Sequence, residues 1–107
     1  MSSEIGEGLF TGIKQVAAAG TRVALEGTKE SAAAKTVTIE ALGTNEGVVV
    51  VGDKSVVAAP GSHATPTQRG IALAAKAVIS IEIDDPAEVF LDATKSGDGV
   101  SYLVLLT

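Results

Sequence analysis

The sequence contains no cysteine and only one histidine, and these two absences exclude several kinds of chemistry. Without cysteine the chain can form no disulfide bond, no thiolate metal site and no thiol nucleophile. A single histidine excludes a metal site built from several histidines of one chain. We therefore expect this protein to hold no metal ion and no cofactor.

Aromatic residues and positive charge are also scarce. The three aromatic residues, Phe10, Phe90 and Tyr102, offer little for stacking the bases of single-stranded nucleic acid. Eight Lys and Arg residues stand against 13 Asp and Glu residues, which gives a net charge of −5. Because such a surface repels a phosphate backbone, we expect no nucleic-acid partner.

Long hydrophobic runs are missing too. The unbroken apolar runs, such as residues 48–51, are far shorter than the roughly 20 residues that span a bilayer. The opening Met-Ser-Ser-Glu-Ile-Gly-Glu-Gly lacks the basic and apolar regions of a signal peptide. We expect synthesis in the cytoplasm and no membrane partner.

What the chain does have is apolar residues, at 46% of 107 residues, and a mean hydropathy of +0.36. A domain of this size buries only about 60–70% of the surface of its unfolded chain, so some apolar surface stays uncovered. Another subunit would cover that surface. We therefore expect a homo-oligomer, with a trimer as the favoured state.

The residue types and their spacing favour an all-β fold. The chain has 13 Val, 7 Ile and 10 Thr, which suit a pleated sheet, and turn residues recur about every ten positions. Short strands at that spacing predict a single antiparallel β-sandwich, jelly-roll-like, of about seven or eight strands. We assign residues 13–107 to this domain and residues 1–12 to a flexible N-terminal arm.

Two segments alternate as half-buried strands do, and we expect both to lie at the edges of the core. Residues 35–42 place Val37, Ile39 and Ala41 on one face, and residues 78–83 repeat the pattern with three isoleucines. The other predicted strands are residues 21–25, 48–51, 54–58, 71–73, 88–93 and 100–106, with residues 13–18 as a weaker first strand.

Residues 48–51 and 100–106 are apolar on both faces. Each is either a central strand covered on both sides or a strand whose outer face meets another subunit. The candidate interface residues in these strands are Val49, Val51, Leu103 and Leu105. In the glycine-rich arm, Ile5, Leu9 and Phe10 are apolar enough to dock on a neighbour, and they complete the candidate interface.

The candidates for catalysis do not form a convincing set. His63 lies beside Ser62 in a loop with two prolines, but adjacency in sequence does not provide the geometry of a nucleophile pair. Carboxylates gather late in the chain and could serve glycoside hydrolysis or a calcium ion. They are Glu82, Asp84, Asp85, Glu88, Asp92 and Asp98. Few aromatics and no EF-hand spacing favour solvated turn acids instead, so we expect no enzyme.

Seven short strand and turn motifs follow one another along the chain. They are Gly-Thr-Arg-Val-Ala-Leu at 20–25, Lys-Thr-Val-Thr-Ile-Glu-Ala-Leu at 35–42, Asn-Glu-Gly-Val-Val-Val-Val-Gly at 45–52, Gly-Ile-Ala-Leu-Ala at 70–74, Ile-Ser-Ile-Glu-Ile-Asp-Asp at 79–85, Glu-Val-Phe-Leu-Asp at 88–92 and Gly-Asp-Gly-Val-Ser-Tyr-Leu at 97–103. In this order of segments the chain resembles a family of small virion structural proteins of tailed bacteriophages. The chain departs from the family at residues 75–77, where Ala-Lys-Ala replaces the usual Pro-Gly-Glu turn, and in a longer stretch at residues 59–69.

The resemblance implies a β-sandwich without enzyme activity. It implies a capsid decoration (cement) protein that binds the major capsid (coat) protein on the outer surface of the head and stabilises it. The alternatives are a tail, connector or fibre-base component, or a receptor- or carbohydrate-binding β-sandwich module.

Overall fold

The structure is a computed structural model that describes residues 9–25, 34–58, 69–83 and 86–106. The strands in these ranges are β1 (Leu9–Gln15), β2 (Val23–Ala24), β3 (Ala34–Ala41), β4 (Val49–Gly52), β5 (Ile71–Leu73), β6 (Val78–Glu82), β7 (Phe90–Ala93) and β8 (Gly99–Leu106). One 3-10 turn, Pro86–Glu88, precedes β7. Within the same ranges no helix has the length and apolar character needed to span a membrane.

The strands form two four-stranded sheets that pack face to face. The first sheet has the order β1-β8-β3-β6 and the second has the order β2-β7-β4-β5. Every pair of neighbouring strands is antiparallel. Apart from the β4–β5 pair, each strand is followed along the chain by a strand of the other sheet, which is the winding of a jelly roll. The predicted jelly-roll-like antiparallel sandwich is confirmed.

The core lies between the two sheets because each strand turns alternate side chains inward. In β3 the inward residues are Val37, Ile39 and Ala41, all fully buried, while Glu40 is exposed. The predicted faces of this strand are confirmed. The buried cluster between the sheets consists of Val16, Leu25, Val37, Ile39, Ala41, Val49, Val51, Leu73, Val89, Leu91, Ala93, Val100, Tyr102 and Val104.

The chain also covers part of the outer face of the second sheet with its own residues. Val50 points away from the main core and forms a second buried cluster with Val56 and Ala58. Val48 and Phe90 pack against this cluster. The segment that follows β4 is therefore a cover over β4 and not a full strand as predicted, since its one ladder contact is the isolated bridge between Val57 and Arg69.

The predicted boundary between arm and domain is wrong. Residues 9–12 belong to β1, which pairs along its whole length with β8, from Leu9 opposite Leu105 to Gln15 opposite Gly99. Gly12 explains how this strand fits: a Cβ atom there would lie 2.5 Å from the hydroxyl oxygen of Tyr102. The glycines that suggested flexibility include one that makes room for the sheet's buried tyrosine. Residues 1–8 of the predicted arm lie outside the described residues.

The turn between β5 and β6 forms without the usual Pro-Gly pair. The Ala77 N–H donates to the Ala74 carbonyl at 2.9 Å, which closes a four-residue turn. Lys76, at its third position, has a φ of +74°. A type II turn requires positive φ at that position and normally places glycine there, because a side chain is strained in this conformation.

Two late carboxylates anchor loops and are not solvated, which corrects the expectation for Asp92 and Asp98. Both are buried. The two carboxylate oxygens of Asp98 accept the N–H groups of Glu46 and Gly47 at 3.0 and 2.8 Å.

The carboxylate of Asp92 accepts three backbone N–H groups. Its Oδ1 accepts those of Gly20 and Ala93 at 3.0 and 2.8 Å, and its Oδ2 accepts that of Ala58 at 3.0 Å. Asp92 therefore connects the turn before β2 and the cover segment to β7.

Replacing Asp98 with asparagine should destabilise the fold. Asp98→Asn keeps the shape of the side chain but turns one acceptor into an N–H₂ group that faces a backbone N–H. We expect the free energy of unfolding to fall by about 2 kcal/mol, measured by urea unfolding followed by far-ultraviolet circular dichroism. The matched control is Asp53→Asn, because both hydrogen bonds from Ser55 to the exposed Asp53 reach the single oxygen Oδ1. Equal stability of Asp98→Asn and the unmodified protein would contradict this role.

Glycine at position 76 should stabilise the fold. Lys76→Gly removes the strain of a side chain at positive φ, which outweighs the greater freedom of glycine in the unfolded chain. We expect a gain of about 0.5–1 kcal/mol in the same unfolding measurement. Lys54→Gly, at an exposed lysine that has no positive φ, is the control and should not stabilise. A loss of stability in Lys76→Gly would show that the turn has another conformation.

Candidate functional site

The candidate catalytic residues are not brought together in the part of the chain that the structure describes. Asp92 and Asp98 are occupied by backbone N–H groups, as described above, while Glu82 and Glu88 are exposed. No group of three or more His, Cys, Asp or Glu residues within the described ranges could hold a metal ion. Ser62, His63, Asp84 and Asp85 lie outside those ranges.

Val49 and Val51 are wrong as interface residues. Both are buried between the sheets, at 0% and 3% exposure. Their strand β4 lies inside the second sheet, between β7 and β5, and its outward Val50 is buried under Val56. Of the two structures that the sequence allowed for residues 48–51, the central strand covered on both sides is the one observed.

Strand β8 differs, because its two faces have different surroundings. Val100, Tyr102 and Val104 point into the core, whereas Leu103 and Leu105 point outward and remain 37% and 43% exposed. The sequence pattern therefore placed these two leucines on a surface, and the structure leaves that surface open in a single chain.

Ile13 extends the exposed leucines onto the neighbouring strand. It lies on β1 opposite Ser101, and Thr11 lies opposite Leu103, so these residues share the outer face of the first sheet. Ile13 is 66% exposed, the largest exposure of the large apolar side chains described. We call Ile13, Leu103 and Leu105 the apolar band. Sequence reasoning missed Ile13, which it assigned to a weak strand without a face.

The arm candidates are only partly placed. Leu9 and Phe10 lie at the start of β1, opposite Leu105 and Val104 of β8. Ile5 lies outside the described residues.

The rest of the outer face of the first sheet is mostly polar. On β3 and β6, the hydroxyl groups of Thr38 and Ser80 form a hydrogen bond of 2.9 Å across the strands. Glu40 and Glu82 are exposed on the same face. The apolar band thus runs along β1 and β8, and a polar half-face lies beside it.

A second apolar feature is a groove at the opposite side of the sandwich, between the edge strands β5 and β6. It encloses about 320 Å³ and is lined almost entirely by aliphatic side chains. The lining residues are Val51, Gly52, Asp53, Ile71, Ile79, Ile81, Ile83, Glu88 and Val89. The sequence pattern predicted the inward direction of the β6 isoleucines and their half-buried place at an edge. The same prediction of an edge is wrong for β3, which lies between β8 and β6.

The two charged residues that line this groove, Asp53 and Glu88, are both acidic. Hydrogen bonds from the Ser55 hydroxyl and N–H hold the pKa of Asp53 below its usual value. Asp53 is therefore negatively charged at neutral pH. A neighbouring depression shares Asp53, Ile83 and Glu88 with the groove and is also lined by Lys54, Ala87 and Phe90.

Comparison with known proteins finds no family model that matches the sequence and no curated protein or solved structure that is significantly similar to the chain.

Proposed function

We propose that this protein is a non-enzymatic structural protein of a tailed-phage virion, and specifically a decoration (cement) protein that binds coat subunits on the outer surface of the head. The observation that carries the proposal is the apolar band. Three large aliphatic side chains lie together on the exposed outer face of the first sheet. On the second sheet, by contrast, residues of the same chain cover part of the outer face. Exposed apolar surface of this kind is typical of a binding face.

The size of the band favours an assembly over a simple pair of proteins. Burying the exposed parts of Ile13, Leu103 and Leu105 would contribute about 3–4 kcal/mol. Association of two proteins costs about 4–15 kcal/mol in lost freedom of motion. The band alone therefore gives little affinity for one partner, whereas a site on a lattice adds contacts from several subunits to it.

Charge and the pattern of segments support a place outside the head. A net charge of −5 suits a surface that does not face packaged DNA. The strand and turn motifs resemble those of small phage virion proteins, and jelly rolls occur in viral capsid proteins as well as in lectins.

Two alternatives use the same chain differently. A tail, connector or fibre-base component would use the apolar band against another virion protein. A carbohydrate-binding module would need aromatic platforms, and among the described residues that line the groove between β5 and β6 there is no aromatic side chain. No observation therefore favours the carbohydrate-binding alternative.

The apolar band could also bind a second copy of this protein. We expect the protein to be a homo-oligomer, with a trimer favoured, or to be held in place by neighbouring coat subunits. Sedimentation of the purified protein at micromolar concentration measures its oligomeric state. A stable monomer that also fails to bind heads would contradict both forms.

Substitutions in the band should release the protein from heads. We expect Ile13→Ser and Leu103→Ser each to weaken binding to expanded heads about tenfold or more, because each leaves a polar group in an apolar contact. The measurement is co-sedimentation of the labelled protein with heads of the phage that encodes it, before and after heating.

The matched control is Val78→Ser, which removes a side chain that is 58% exposed on the polar half of the same face. It should bind as the unmodified protein does. Far-ultraviolet circular dichroism confirms that all variants are folded. Binding by Ile13→Ser and Leu103→Ser that equals the control, or no binding of any form to heads, would contradict the proposal.

A further inference from the structure

The edge of the first sheet at β6 has no neighbouring strand among the described residues. The Ala41 N–H donates to the Ala77 carbonyl at 2.9 Å. Hydrogen bonding alternates along an antiparallel ladder, so Ile79 and Ile81 direct their backbone groups to β3 in the same way. The backbone groups of Val78, Ser80 and Glu82 therefore point away from β3, along the open edge. This edge can accept a further strand.

Several apolar side chains beside this edge face the core but are not fully buried. Ile79 and Ile81 point inward yet are only partly buried. Ile71 lies in register with the buried Val51 on the neighbouring strand, but it is 55% exposed. Apolar side chains placed in the groove would complete the contacts of these isoleucines.

The segments of this sequence outside the described ranges do not suit the groove. Residues 26–33, 59–68 and 84–85 contain no Val, Ile, Leu, Met or Phe, and residues 1–8 have Met1 and Ile5 with two glutamates. A strand that fills an apolar groove needs aliphatic side chains at alternate positions. The occupant therefore comes from outside these segments.

The charge of the rim argues against a second copy at the same edge. The charged residues that line the groove, Asp53 and Glu88, are both acidic, and a second copy would bring its own net charge of −5 to the same site. Like charges at close range oppose association, whereas basic residues would be attracted.

We propose that the groove between β5 and β6 binds an extended segment of a different protein, which adds a strand to β6. The segment spans about five residues, the length of β6. It carries aliphatic side chains at alternate positions, which contact Ile71, Ile79 and Ile81, and it has lysine or arginine at the end that lies beside Asp53 and Glu88. This site lies on the side of the sandwich away from β1 and does not depend on the proposed role of the apolar band.

A designed peptide tests the proposal with the full-length protein. The probe is fluorescein-labelled Lys-Val-Thr-Val-Thr-Val-Lys, and its binding is measured by fluorescence anisotropy. The first control replaces the three valines with serine, and the second replaces the two lysines with glutamate. We expect only the basic aliphatic peptide to bind, with a dissociation constant in the micromolar range. Its affinity should fall as the salt concentration rises.

Variants locate the peptide on the protein. Ile71→Ser should weaken binding at least fivefold, while the exposed Val78→Ser on the outer face of the same edge should change it less than twofold. Glu88→Lys should weaken binding of the basic peptide and improve binding of the glutamate peptide. The matched control Glu40→Lys, on the outer face of β3, should do neither.

Three results would overturn the proposal. The first is no binding of the basic aliphatic peptide at millimolar concentration. The second is equal binding of the serine or glutamate peptide. The third is a dimer in sedimentation that Ile71→Ser abolishes, which would make a second copy the occupant of the groove.

Discussion

A sheet has two faces, and in a two-sheet sandwich each sheet covers only one face of the other. The second sheet meets this constraint within the chain, because Val56 and Ala58 bury Val50 on its outer side. The first sheet leaves Leu103 and Ile13 exposed. The surfaces that we consider functional are the places where this small fold does not cover its own apolar residues.

The same constraint acts at the sides of the sandwich. Eight described strands make two open sheets, so each sheet ends in two edge strands. At the side formed by β5 and β6, inward isoleucines remain half-buried above a groove. Polar groups inside the fold must also find partners. The buried carboxylates of Asp92 and Asp98 accept hydrogen bonds from loop N–H groups that have no partner in the sheets.

Much of the fold could be predicted from the sequence, because alternation and turn spacing are local signals. The inward faces of β3 and β6 follow directly from residues such as Val37 and Ile81. The order of strands within a sheet is not a local property of the sequence, and this order determines which strands are interior and which residues are buried. Val49 is buried because β4 lies between β7 and β5, and β3 lies between β8 and β6 although it alternates as the edge strand β6 does. Asp98 was assigned to solvent because its partners, Glu46 and Gly47, are about fifty positions away in the chain.

Cryo-electron microscopy of heads that carry the protein tests the central claim most directly, since it shows which face of the sandwich meets the particle. The account predicts density for the jelly roll on the outer surface of the head, with the face that bears Ile13, Leu103 and Leu105 against coat subunits. A sandwich bound with that face open to solvent, or heads without any such density, would contradict it.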